Sequence, residues 1–251
     1  MSGAIAAIIP ARIGSTRLPR KPLLEETGRP LIVHVVDHVK RAGKIDVVIV
    51  ATDSDEIARA VEAHGGTARM TSPDHRSGTD RVAEVARDLD HAAFINVQGD
   101  EPDLDPDDLD RLAEALEEDP TAIWTLAVPI EDEETWRDPH SVKVVVDENG
   151  RALSFTRSPV PYAANFEDVR GPRLARKHLG VYGFPRELLF RFTSLEPTAL
   201  EECERLEQLR ALGHGIPIRV LEAASAPNGI DTPEDYRRFV ERFQSEAGTA
   251  T

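Results

Sequence analysis

The sequence predicts an α/β fold, a mainly parallel sheet covered by helices on both faces, and three observations carry that prediction. Short apolar runs rich in β-branched residues alternate with helix-periodic stretches from Ala4 to Ile130, the order that βαβ units impose. The runs are apolar throughout rather than alternating, as in strands buried on both faces. The 251 residues are 40% hydrophobic, enough for a sizeable core.

Each element has its own signal. Ala4–Ile9 (AIAAII) reads as a buried strand ended by Pro10. Leu31–Ala42 has helical periodicity and stops before Gly43. Asp46–Ala51 (DVVIVA) is the second apolar run. Ser54–His64 is an amphipathic helix with Asp53 or Ser54 as its cap and Gly65-Gly66 at its end. Thr79–Asp88 is a third helix, Ala92–Val97 a strand, Pro106–Glu118 a helix and Ala122–Ile130 a strand. After Pro139 the pattern changes. Val142–Val146 and Ala152–Thr156 flank DENG, a hairpin-type turn. Arg157–Arg176 is rich in proline and arginine and has no clear period. Lys177–Phe184 reads as a strand, Leu200–Leu212 as a helix and Pro233–Phe243 as the closing helix. No repeat or low-complexity segment interrupts the chain, and the change near Pro139 suits an insertion into one domain better than a linker between two.

Composition excludes several classes. Cys203 is the single cysteine, so no intrachain disulfide forms, which fits a reducing compartment. No charged segment precedes the first apolar run, and no stretch approaches the roughly 20 apolar residues of a membrane span. A soluble cytoplasmic protein is expected. A formal net charge of -15 argues against a nucleic-acid binder.

Against that acidic total, Ile8–Leu23 (IIPARIGSTRLPRKPL) gathers Arg12, Arg17, Arg20 and Lys21 around Gly14, Ser15 and Thr16. The stretch follows the first strand, and open α/β sheets bind ligands at the carboxyl ends of their strands. Small residues let backbone N–H groups turn toward an anion, while arginine forks and a lysine point charge neutralise it. The loop reads as a polyphosphate cradle, although scattered charges on a solvated loop share this composition. It is neither GxxxxGK[ST] nor GxGxxG, which sets aside P-loop enzymes and dinucleotide-binding dehydrogenases. Asn96–Pro102 (NVQGDEP) also follows a strand. Its adjacent Asp100 and Glu101, facing a phosphate cradle, suit Mg²⁺, usually held by one or two carboxylates plus phosphates. A turn capping the next helix accounts for them equally well. In Asn228–Asp235 (NGIDTPED), Asp231 or Thr232 caps the last helix, with Pro233 at its first position. Ser77–Arg81 opens a helix whose free N–H groups favour polar or anionic ligands.

Taken together, IIPARIGSTRLPRKPL, VIVATD, SGTDR, NVQGDEP, TLAVPI, VKVV, HLGVYGF, LEQLR and GIDTPEDY resemble the cytidylyltransferases that activate acid sugars. NVQGDEP with HLGVYGF and LEQLR resembles in particular the branch acting on 3-deoxy-manno-octulosonate (Kdo). The resemblance implies a single Rossmann-like nucleotidyltransferase domain over residues 1–251, with a sugar lid and homodimer contact at about 140–200. It implies the reaction CTP plus Kdo to CMP-Kdo and pyrophosphate, with Mg²⁺, in lipopolysaccharide precursor synthesis. By the same resemblance Lys21, Asp100 and Asp231 are catalytic, the two aspartates holding the metal. Pro10, Ala11, Arg12, Ser15, Lys21, Ala51, Thr52, Asp53, Ser77, Gly78, Arg81 and Gln98 would surround the nucleotide. Gln98, Arg157, His178, Tyr182, Glu207 and Gln208 would line the sugar pocket, an arginine suiting its carboxylate. One departure is Arg20, where the family has glycine before the loop lysine; glycine permits φ > 0 and arginine rarely adopts it. Two alternatives accompany this reading: activation of another acid sugar (a sialic acid or an amino variant of Kdo), and a nucleotide-binding regulator without turnover.

Overall fold

The computed structural model describes residues 3–14, 17–171, 173–227 and 229–249. In chain order the elements are β1 (Ile5–Ala11), α1 (Leu31–Val39), β2 (Val47–Thr52), α2 (Asp55–Ala63), β3 (Thr67–Met70), α3 (Gly78–Arg87) and β4 (Ala93–Asn96). There follow α4 (Pro106–Glu118), β5 (Ile123–Pro129), α5 (Glu133–Arg137), β6 (Lys143–Val146), β7 (Ala152–Thr156) and α6 (Glu167–Arg170). The chain continues through β8 (Arg176–Pro185), α7 (Arg186–Thr193), α8 (Ala199–Glu204), α9 (Leu209–Gly213), β9 (Ile218–Glu222) and α10 (Pro233–Thr249). These elements form two compact units: Ala4–His91 with Ile95–Asp110 and Pro227–Thr251, and Ala92–Phe94 with Arg111–Ala226.

In the first unit the strand order is β3-β2-β1 followed by the second half of β4. The β1–β2 and β2–β3 pairs are parallel, with Pro10 opposite Ala51 and Ala11 opposite Thr52. Ile5, Ala6, Ala7, Ile8 and Ile9 are all essentially inaccessible, as apolar runs flanked by helices must be. The strand continues past Pro10 to Ala11, since the fixed φ of proline is tolerated near a strand end. Helix α1 buries Leu31, Ile32, Val33, Val35, Val36 and Val39. Ser54 caps α2, its Oγ accepting from Ile57 N, and Ser77 caps α3 in a reciprocal box with Asp80. Strand β3 lacks an apolar signature because most of it is exposed; only its pairing with β2 defines it.

In the second unit β5 pairs parallel with β9 and antiparallel with β8, while β6 pairs antiparallel with β7 and β8. The β6–β7 hairpin closes over DENG: Gly150 N donates to Asp147 O at 3.0 Å, and Gly150 has φ 76. The irregular stretch 157–176 contains α6 and packs Phe166, Val169 and Ala175 with Ile130 and Trp136. The helix expected over Leu200–Leu212 is two helices. Arg205, at φ 55, turns the chain between α8 and α9. That reversal lets Arg210 reach back to Glu201, both nearly buried, with Nε to Oε2 at 3.0 Å and Nη2 to Oε1 at 2.5 Å. The buried, hydrogen-bonded ion pair accompanies the break between the two helices.

Candidate functional site

A cavity of about 390 Å³ opens in the first unit, within the range of small-molecule sites. It lies at the carboxyl ends of β1 and β4, as strand-end logic requires. Pro10 and Ala11 contribute from β1, and Gln98, Gly99 and Asp100 from the turn after β4. Ser77 and Gly78 line it at the start of α3. Two glycines permit the close approach of these loops. A Cβ on Gly99 would meet Pro10 O at 3.2 Å, and one on Gly78 would meet Pro10 Cγ at 3.1 Å. Any side chain at either position would press the wall apart.

Arg12, Gly14, Arg17 and Lys21 bring the predicted cradle to this cavity; Ser15 and Thr16 lie outside the described residues. Lys21 begins a short 3₁₀ turn, Lys21–Leu23. Its ammonium donates to Asp100 Oδ2 at 2.6 Å, to Ile230 O at 2.7 Å and to Asp231 Oδ1 at 3.1 Å. Arg17 Nη2 also reaches Asp231 Oδ1, at 3.1 Å. The carboxylates of Asp100 and Asp231, 131 residues apart in sequence, thus converge on one cation. Asp231 is available because Thr232 takes the cap of α10: Thr232 Oγ1 accepts from Asp235 N, and Asp235 Oδ2 accepts from Thr232 N. Arg20 keeps the conformation a glycine would take, at φ 57 and ψ 25, and its guanidinium bonds both carboxylate oxygens of Glu56 on α2.

The donor set bears on a metal directly. Two carboxylate oxygens already converge on a single positive charge beside an arginine-rich wall. No cluster of three or more His, Cys, Asp or Glu able to cage an ion occurs among the described residues. Two carboxylates plus ligand phosphates is the coordination Mg²⁺ accepts, whereas a closed structural zinc site takes four protein ligands. The residues therefore fit a nucleotide-bound Mg²⁺.

The opposite polar wall comes from the loop before α3. Arg81 is buried and donates to Thr71 Oγ1 and, at 3.0 Å, to Asp53 Oδ2. Ala51 and Thr52 are fully buried in β2 and lie outside the lining; Asp53 acts on the cavity through Arg81. His75 and Arg76 also line the cavity, and sequence reasoning missed both. Their only signal was position, immediately ahead of the Ser77 helix cap.

The remaining predicted residues belong to the second unit. Arg157 at the end of β7 donates Nε to Glu204 O at 2.9 Å and Nη1 to Pro139 O at 3.0 Å. The buried Lys143 ammonium donates to Arg157 O at 2.7 Å. His178 and Tyr182 stack along β8, ring centroids 5.3 Å apart. Both side chains keep some accessibility but are enclosed by protein, and burial pushes His178 down to about 3, so its imidazole is neutral. Thr125 Oγ1 lies 3.0 Å from His178 Nε2 and donates its own proton to Val181 O at 2.7 Å. Nε2 therefore carries the imidazole proton and Nδ1 is the acceptor. Burial, and then Glu207, push the Tyr182 phenol well above its ordinary value, so it remains a donor. Gln208 is nearly buried.

Residues 6–218 match the family model described as cytidylyltransferase. The chain belongs to the cytidylyltransferase family. This cytidylyltransferase is 44% identical over 248 residues to a 3-deoxy-manno-octulosonate cytidylyltransferase of Geobacter sulfurreducens, covering 96% of the chain and 99% of the relative. It is 43% identical to the protein of the same name from Pelobacter propionicus, covering 96% and 98%. Its fold superposes on the structure of CMP:2-keto-3-deoxy-manno-octonic acid synthetase complexed with CTP with a TM-score of 0.91, at 40% identity, covering 97% and 99% of the two chains. A 4-diphosphocytidyl-2C-methyl-D-erythritol synthase from Anaerococcus prevotii, at 18% identity and a TM-score of 0.64, shares the fold. Among the described residues of this cytidylyltransferase, no helix is long and apolar enough to cross a membrane.

Proposed function

We propose that the protein activates Kdo, converting CTP and Kdo to CMP-Kdo and pyrophosphate, and that it requires Mg²⁺. The observation that carries the reading is the convergence of Lys21, Asp100 and Asp231 in an arginine-walled cavity, in a chain 44% identical to curated enzymes of that name. The anomeric hydroxyl oxygen forms a bond to the α-phosphorus. The bond from that phosphorus to the bridging oxygen of the β-phosphate breaks, pyrophosphate leaves and the hydroxyl proton is lost. Catalysis of this kind is positioning plus charge stabilisation. Arg12, Arg17 and Lys21 neutralise the triphosphate. Ser77 and Gly78 line the nucleotide's wall at the start of α3, where the helix dipole favours an anion. Asp100 and Asp231 would hold Mg²⁺, whose chemistry there is to acidify the attacking hydroxyl and offset charge on the phosphates.

Within the second unit, the acid sugar is assigned to Arg157, His178, Tyr182, Glu207 and Gln208. The Arg157 guanidinium suits the carboxylate. The Tyr182 phenol donates and the neutral His178 accepts through Nδ1, complementing ring hydroxyls. The same reading makes the protein a cytoplasmic homodimer in lipopolysaccharide precursor synthesis. A substrate panel tests it: purified protein with CTP and Mg²⁺, offered Kdo or a sialic acid in parallel, with pyrophosphate release followed. Release with Kdo alone is expected. Release with the sialic acid and not with Kdo would move the substrate and overturn the assignment.

A further inference from the structure

Arg12, Arg17 and Lys21, beside Asp100 and Asp231, gather most of the cavity's cations and take the triphosphate; the wall formed by the loop before α3, which adds Arg76 to the lining, is left to the nucleoside. On that wall Arg81 is committed to Asp53 and Thr71, and Ser77 Oγ accepts from Asp80 N. His75 is differently placed. It lines the cavity, and its Nε2 lies in hydrogen-bond contact with Glu84 Oε2. The same oxygen accepts from Ser72 N at 3.0 Å. The Ser72 N–H and then the His75 ring hold the Glu84 carboxyl below its usual range, so it is ionised and only accepts. Nε2 must then carry a proton, and in the singly protonated ring Nδ1 is the acceptor. Among the described residues nothing donates to that nitrogen.

Cytosine and uracil differ at ring position 4, where cytosine presents an amine donor and uracil a carbonyl acceptor. An acceptor fixed in the wall pairs with the first and repels the second. We propose that His75, oriented by Glu84, reads the exocyclic amine of cytosine and sets the preference for CTP over UTP. The assignment rests on the CTP-dependent reading above. It adds a specificity residue and a positioning residue to the site.

The test is nucleotide binding by calorimetry, with Mg²⁺ present, for CTP and UTP in three proteins: wild type, His75→Phe and Glu84→Gln. Phenylalanine keeps the ring and deletes both nitrogens. Glutamine keeps the imidazole and removes the carboxylate that fixes its tautomer. In His75→Phe the ratio of CTP to UTP affinity should fall at least about tenfold, chiefly through weaker CTP. Glu84→Gln should fall partway. Equal weakening of CTP and UTP would mean a phosphate contact and would overturn the proposal, as would an unchanged ratio. Glu84 is partly exposed, so its variant carries the test if His75→Phe does not fold. A wild-type protein that binds neither nucleotide would instead defeat the CTP reading itself.

Discussion

Replacing Lys21 with methionine should move two measurable quantities in opposite directions. The substitution keeps the length of the apolar stem and deletes the ammonium. That ammonium bonds two carboxylates, Asp100 at 2.6 Å and Asp231 at 3.1 Å, in the place where a divalent cation would be held. The Lys21 side chain is only 12% exposed, but its partners are 31% and 47% exposed. Solvent therefore discounts each charge-assisted bond to the lower end of its range, and the two together contribute about 2 kcal/mol. A metal arriving without nucleotide must displace the lysine against that amount. In Lys21→Met the penalty is gone, so Mg²⁺ or Mn²⁺ should bind the nucleotide-free protein roughly 30-fold more tightly. Turnover should fall about 10²–10³-fold, because a donor aimed at developing phosphate charge is lost. Titration of Mn²⁺, followed by its electron paramagnetic resonance signal, reads the first quantity; pyrophosphate release reads the second. Metal affinity that is unchanged or weaker in the variant would refute the idea that Lys21 occupies the metal's ground in the resting protein.

Other perturbations follow from the same geometry. Arg210→Met strands the nearly buried Glu201 carboxylate and should cost about 3–5 kcal/mol in urea unfolding, most of it recovered by adding Glu201→Leu; a small loss would show that the pair is not desolvated. Burial lowers His178 to about 3, whereas the unfolded chain takes up that proton near its ordinary value, roughly 6.5. Stability from this group is therefore lost as pH falls between those values. Between pH 7 and 5 the wild type should lose about 2 kcal/mol more than His178→Gln; parallel pH profiles would contradict the burial argument. Arg20→Gly relieves a left-handed arginine held by an exposed ion pair with Glu56. The melting temperature should rise slightly and the apparent CTP affinity change modestly; abolished turnover would give the arginine a role of its own.

Local signals carried much of this molecule. The β1–loop sequence, the turn after β4 and the start of α10 each announce a strand end or a helix cap within a few residues, and all three reach the cavity. What spacing cannot reveal is that Asp100 and Asp231 share one ammonium across 131 residues of chain, because convergence is a property of the fold. The capping motif even competed with the metal role of Asp231 until Thr232 proved to be the cap. The break at Arg205 has no local signature, since arginine rarely adopts a positive φ; the buried Glu201–Arg210 pair accompanies it. Strand β3 was missed because three of its four residues are exposed, and β9 because five residues after a proline carry too little pattern. His75 escaped notice because a histidine beside an arginine says nothing until Glu84, a turn and a half into α3, is seen to hold it.

The most direct test of the central claim is pyrophosphate release by Asp100→Asn and Asp231→Asn with CTP, Kdo and Mg²⁺ all saturating. If the two carboxylates hold the charge centre of the reaction, each variant should lose about 10²–10³-fold in turnover while remaining folded. Turnover equal to wild type in either one would contradict the account.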